Sequence, residues 1–179
     1  MKARPIISPR CRIRHPRQFH AGPASIVDDF CYFSTRVEIG AGSHIAAGCT
    51  VAGGRKFLFR LGDCSSLSSG VRVWCASNNF REDLVMITPP GLELDGLEPV
   101  EGDVIFGDYT GAGANAVIMP DNHIPEGTVI GALSFVPPRS RLKPWTVYAG
   151  VPVRPVGRRN RARVLRQAAQ VRAWLAQHR

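Results

Sequence analysis

Fifteen apolar or small residues of this 179-residue chain stand six apart once two interruptions are set aside. They are Val27, Phe33, Ile39, Ile45 and Val51; then Leu61, Leu67 and Val73; then Phe106, Ala112, Ile118, Ile124, Ile130, Val136 and Leu142. A period of six fits neither the roughly 3.6-residue turn of a helix nor the simple alternation of an ordinary strand. It specifies a solenoid in which short strands recur and one residue of each repeat enters the core. Glycine often follows the inward residue, as in Ile39-Gly40, Leu61-Gly62, Phe106-Gly107 and Ile130-Gly131, and a small residue there suits a tight corner between flat faces.

The interruptions divide the chain. The step from Val51 to Leu61 contains Gly53-Gly54-Arg55-Lys56 and reads as one repeat with a short inserted turn. The step from Val73 to Phe106 is one repeat carrying an excursion from about 74 to 104. Excursions of that length in compact folds are functional or disordered. This one holds Trp74, Phe80, Leu84, Met86 and Ile87 and is expected to pack on another surface, such as a neighbouring subunit. Residues 1–20 read as a basic N-terminal extension and 21–157 as the repeat domain. Residues 158–179 read as a C-terminal helix, N-capped by Asn160, with Val164, Ala168, Val171 and Leu175 on one stripe.

The net charge of +9 sits in the tails: residues 1–20 hold six basic groups and 154–179 hold eight, with no acid in either. The middle holds nine basic groups against all fourteen acids. A polyanion contact is one reading of the tails and solvated ends another. No base-stacking aromatics or recognition motif accompany the arginines, so nucleic acid is not the expected partner. The five cysteines have no CxxC spacing and are odd in number, which disfavours a disulfide framework or a zinc knuckle; reduced, structural thiols are expected. No stretch is long and apolar enough for a membrane span, and the N-terminus lacks the apolar segment of a secretory signal, so a soluble cytoplasmic protein is expected.

The segment FGDYTGAGANAVIMPDNHIPEGTVIGALSFV, followed by PWTVYAGVPVR, resembles the hexapeptide-repeat acyltransferases. The excursion WCASNNFREDLVMITPP is similar to that of bacterial surface-polysaccharide sugar O-acetyltransferases, with nucleotide-sugar N-acetyltransferases as close relatives. The resemblance implies a left-handed parallel β-helix with three flat faces and about 18 residues per coil. It also implies a homotrimer, acetyl-CoA as acyl donor bound between adjacent prisms, and a sugar acceptor in a surface glycan or its nucleotide-linked precursor.

By that resemblance Ala114 and Ala132, one coil apart, line the pantetheine arm, where a larger side chain would hold the arm off the edge. Arg154 occupies the slot for the CoA phosphates, with Arg158 and Arg159 close behind; guanidinium groups fork well onto phosphate. Trp145 is a packing residue of the turn or a stack for adenine. Relatives place a catalytic histidine at the start of the excursion, whereas here that stretch is Ser77-Asn78-Asn79-Phe80. Asn79 can orient a hydroxyl but cannot hold its proton. The candidate base is His123, one coil from Ile105 where the excursion returns, with Glu82 and Asp83 of the excursion next. A metal centre is not expected from two separated repeat histidines. If the acceptor is an amine, the missing histidine matters less. The alternative is a non-catalytic trimer that keeps the prism for binding or assembly.

Overall fold

Strands of two to five residues cannot hold together singly, and here they stack in parallel into three flat sheets. The structure is a computed structural model describing residues 3–178. Met1 and Lys2 of the expected N-terminal extension, and Arg179 of the expected C-terminal segment, lie outside the described residues. The first face takes Ile6–Ile7, Ile26–Val27, His44–Ile45, Ser66–Leu67, Gly111–Ala112, Val129–Ile130 and Thr146–Gly150. The second takes Arg12–Ile13, Tyr32–Phe33, Thr50–Ala52, Arg72–Trp74, Val117–Ile118 and Phe135–Val136. The third takes Phe19–Ala21, Arg36–Ile39, Leu58–Leu61, Val104–Phe106 and Asn122–Ile124. This is the left-handed parallel β-helix, about seven coils long, with one C-terminal helix.

The six-residue period marks its core. Of the fifteen periodic residues, all but Leu142 are at most 4% exposed. They stack in columns: Val27, Ile45, Leu67, Ala112 and Ile130 on the first face, and Ile39, Leu61, Phe106 and Ile124 on the third. Each large aliphatic residue so buried contributes roughly 1.5–3 kcal/mol. In the last coil Tyr148, eighteen residues after Ile130, continues the first-face column above it. Its hydroxyl accepts from the Lys143 N–H at 2.9 Å, which satisfies the polar end.

Residues 3–20, expected as part of an extension, supply most of the first coil: Ile6 pairs with Ile26, Ile13 with Phe33 and Ala21 with Ile39. The single helical turn Pro16–Gln18 lengthens that coil and hides its period. The glycines after inward residues prove to serve close approach. A Cβ on Gly62 would lie 2.5 Å from the Gly107 carbonyl carbon of the next coil.

Three edges join the faces. The first edge, between faces one and two, turns through Phe30, Gly48, Gly70, Asn115 and Leu133, all at positive φ. The third edge, between faces three and one, turns through Tyr109, Gly127 and Trp145. The helix Arg161–Gln177 is capped by Asn160, whose Oδ1 accepts from the Arg163 N–H at 3.0 Å. It runs back along the third edge, burying Ala168 and Leu175, until the His178 carbonyl accepts from the Ala3 N–H of the first coil at 2.8 Å. The excursion leaves at the second edge. Its base is an antiparallel pair, Ala76–Ser77 with Val100–Glu101.

Candidate active site

The first edge carries an open track of small residues. Leu133 N–H donates to the Ala114 carbonyl, Asn115 N–H to Ser69, Gly70 N–H to Ala47 and Gly48 N–H to Asp29. These bonds align Ala132, Ala114, Ser69 and Ala47 in one column that ends at Asp29. The expected stacking of Ala114 beneath Ala132 holds, and the column is twice as long as that pair. Ser69 stands 45 positions before Ala114 and Ala47 a further 22 before Ser69, the same offsets that separate the paired strands on either side. The two insertions broke the 18-residue spacing and concealed both residues. All four are solvent-accessible and none is larger than serine.

At the C-terminal end of the prism lies a cleft of ≈ 680 Å³ lined by Arg141, Lys143, Arg154 and Arg158 together with Leu142, Tyr148 and Val153. Arg154 stands opposite Ala149 in the terminal hairpin, so it caps the first edge one strand beyond the last parallel coil. Arg158 reaches the same cleft, while Arg159 turns inward. Its guanidinium donates to the carbonyls of Tyr109 and Gly127, and burial pulls its pKa below the usual arginine range.

Trp145 does not line that cleft. It stacks on Tyr109 with ring centroids 6.2 Å apart, and the Arg161 guanidinium lies 5.5 Å from its centre. A Cβ on Gly127 would come within 2.4 Å of its ring, and the φ of +69° there suits only glycine well. These contacts pack Trp145 into the third edge of the chain.

His123 projects outward from the third face beside Ile105, as the repeat count requires. It lines a shallow depression with Asp103, Asp121 and Arg139. The third face lies opposite the first edge of a triangular prism, so one chain does not bring His123 to Ala114 and Ala132. Asn79 and Asp83 serve the shape of the excursion. Asn79 Oδ1 accepts from the Arg81 N–H at 3.2 Å, and Asp83 Oδ2 accepts from the Glu98 N–H at 3.0 Å across the loop. At the foot of the excursion Trp74, Ala76, Ser77, Asn78, Phe80 and Met119 form an apolar depression, with Phe80 and Ile87 73% and 89% exposed.

One ordered imidazole was given no role by the repeat count. His44 Nε2 lies 2.9 Å from Asp28 Oδ2 on the first face, with His44, Ser66 and Gly111 in register. All five cysteines are free thiols, and burial pushes the Cys75 thiol up to about 12. Among the described residues no cluster of three metal-ligating side chains occurs, and no helix is long and apolar enough to cross a membrane.

No protein-family profile matches the chain. It is 29% identical over 138 residues to the dTDP-4-amino-4,6-dideoxy-D-glucose acyltransferase of Escherichia coli, covering 75% of this chain and 69% of that protein. AntD, an N-acyltransferase from Bacillus cereus, is similar in structure. A cysteine-substituted AntD with dTDP-4-amino-4,6-dideoxyglucose and coenzyme A superimposes with a TM-score of 0.84 at 30% identity, covering 95% of this chain and 88% of AntD. AntD with dTDP and 3-hydroxybutyryl-CoA gives a TM-score of 0.83 at 30% identity, covering 97% and 90%.

Proposed function

Since the chain belongs to the hexapeptide-repeat acyltransferase family and is an acyltransferase using a CoA-linked donor, we propose that its acceptor is the amine of a nucleotide-linked amino sugar. The single observation that carries this reading is likeness along almost the whole chain to an enzyme bound to such a sugar and to coenzyme A. Acetyl-CoA is the donor we propose from the sequence. AntD holds 3-hydroxybutyryl-CoA, which makes the longer acyl group the informative competitor.

The residues present fit a CoA thioester. Ala132, Ala114, Ser69 and Ala47 leave the column beside the first-edge corners free of bulk, so an extended arm lies close enough for its amides to reach backbone groups. Arg154 and Arg158, with Arg141 and Lys143, offer charge-assisted bonds to phosphate at the end of that track. Bound there, the thioester supplies an acyl carbon open to attack. This chain's part is to fix the arm, hold the amine in line and accept its proton. We further propose a homotrimer. The exposed apolar excursion asks for cover, and His123, opposite the track, meets it only from a second copy. Asn79 and Asp83 then shape the excursion over the acceptor.

The test is to incubate the protein with dTDP-4-amino-4,6-dideoxyglucose and either acetyl-CoA or 3-hydroxybutyryl-CoA, following product mass and free CoA. Acylated nucleotide sugar is expected. Absence of product with both donors, while other sugar amines or hydroxyls are acylated, would overturn the acceptor.

A further inference from the structure

The Asp28–His44 pair stands where the small-residue track ends. From Ala132 to Ala47 the track spans three strand spacings, about 14 Å. Beyond Ala47 the column meets Asp29, whose carboxylate is engaged by Ser8 and by Arg10 at 3.2 Å. His44 lies on the same coil as Ala47, three residues earlier, with its ring on the outside of the first face. Its side chain is 44% exposed and that of Asp28 43%, so the pair is ordered and still within reach of a ligand. We propose that His44, oriented by Asp28, is the general base for acyl transfer at the end of the first-edge track. The assignment rests on the CoA reading of that edge.

The chemistry follows from the pairing. A carboxylate only accepts, so the Nε2 proton of neutral His44 is donated to Asp28 and Nδ1 keeps the lone pair. The acceptor amine bonds to the acyl carbon, and its proton passes to Nδ1 of His44. The carbon–sulfur bond breaks, and the departing thiolate receives that proton, so amide and free CoA thiol leave with the imidazole restored. Asp28 fixes the tautomer and steadies the charged imidazolium, the part a carboxylate plays behind any imidazole base.

His123 has no carboxylate hydrogen-bonded to its ring; Asp121 beside it is paired with Arg139 at 3.0 Å. The charged group that meets His44 is Asp28 on the preceding coil; next along the chain Asp29 is paired with Arg10, and the Arg72 guanidinium of the second face is bound to the Gly48 carbonyl at 2.6 Å. Ser66 follows His44 in register on the next coil and is uncharged.

Bromoacetyl-CoA tests the assignment in the intact protein, because it carries an alkylating carbon where the acyl group sits. Peptide mapping is expected to find the label on His44, prevented by excess CoA. His44→Gln is expected to lower kcat at least 100-fold with the KM for acyl-CoA and the Tm unchanged. Asp28→Asn is expected to lower kcat about tenfold. The KM for acyl-CoA should again be unchanged, because Asp28 acts only by holding the imidazole and does not meet the donor. Label on His123 or the excursion, or His44→Gln activity within twofold of the parent, overturns His44 while leaving the acyl-transfer reading standing. A protein neither labelled nor stabilised by CoA overturns the track and the assignment with it. Should His44→Gln fail to fold, the labelling of the unaltered chain decides.

Discussion

Along the first edge the left-handed corner positions are bordered by Ala47, Ser69, Ala114 and Ala132; along the C-terminal half of the third edge they are Tyr109, Gly127 and Trp145. The backbone does the same work in both places, turning sharply between flat sheets and passing one N–H to the coil before it. What is hung on it differs. The third edge is filled by stacked aromatic rings, the Arg159 guanidinium and the returning helix. The first is left bare, with Arg154 at one end and the Asp28–His44 pair at the other. A repeat makes equivalent corners, and side-chain choice alone divides them into a closed seam and an open track.

That division can be broken by substitution. Trp145→Ala, on the closed edge, should cost about 2–3 kcal/mol in chemical denaturation because it empties the space between Tyr109 and Gly127. It should leave CoA affinity unchanged, and a parallel loss of affinity would mean that the third edge also binds. Ala132→Trp, on the open edge, should do the reverse: calorimetry should find CoA weakened about 100-fold, close to 2.7 kcal/mol, with stability within about 0.5 kcal/mol of the parent. Retained affinity would remove the track.

The arginines sharpen the comparison further. Arg154→Ala should weaken CoA about tenfold and flatten the salt dependence of binding. Arg159→Ala, one residue beyond Arg158, should instead lower stability by about 1–2 kcal/mol through two lost charge-assisted bonds, with affinity untouched. A smaller effect concerns pH. The Cys75 thiol is raised from 9.0 to about 12 by burial, so the folded chain holds that proton more tightly than the unfolded one. Stability from this source is complete below pH 9 and falls as the pH climbs from there toward 12. A Cys75→Ala variant should show a shallower alkaline decline in Tm.

The fold was legible because every inward residue obeys one period, and a period survives even when single residues vary. Phe106, Ala112 and Ile118 differ in size yet occupy equivalent places. The site was legible only where the spacing ran unbroken. Ala114 and Ala132 stand one coil apart, but Ser69 and Ala47 are displaced by the excursion and by the turn at Gly53-Gly54, so a fixed spacing passes over them. The first coil was concealed in the same way by its helical turn at Pro16–Gln18. His44 could be put in its column by counting, but no count reveals that Asp28 turns toward it. That contact joins adjacent coils through side-chain torsions, and the repeat leaves those torsions free. The same freedom let Arg159 turn inward while Arg158 faces the cleft.

The stacking distance makes the molecule a gauge. Each coil adds about 4.8 Å along the edge and nothing in between, so the separation of Arg154 from His44 is set in whole steps. Inserting one 18-residue coil between Ala114 and Ala132 would carry the phosphate end one step away while preserving every corner. On the proposed placement of the donor, one with a correspondingly longer arm would then reach the imidazole, and coenzyme A would fall short of it.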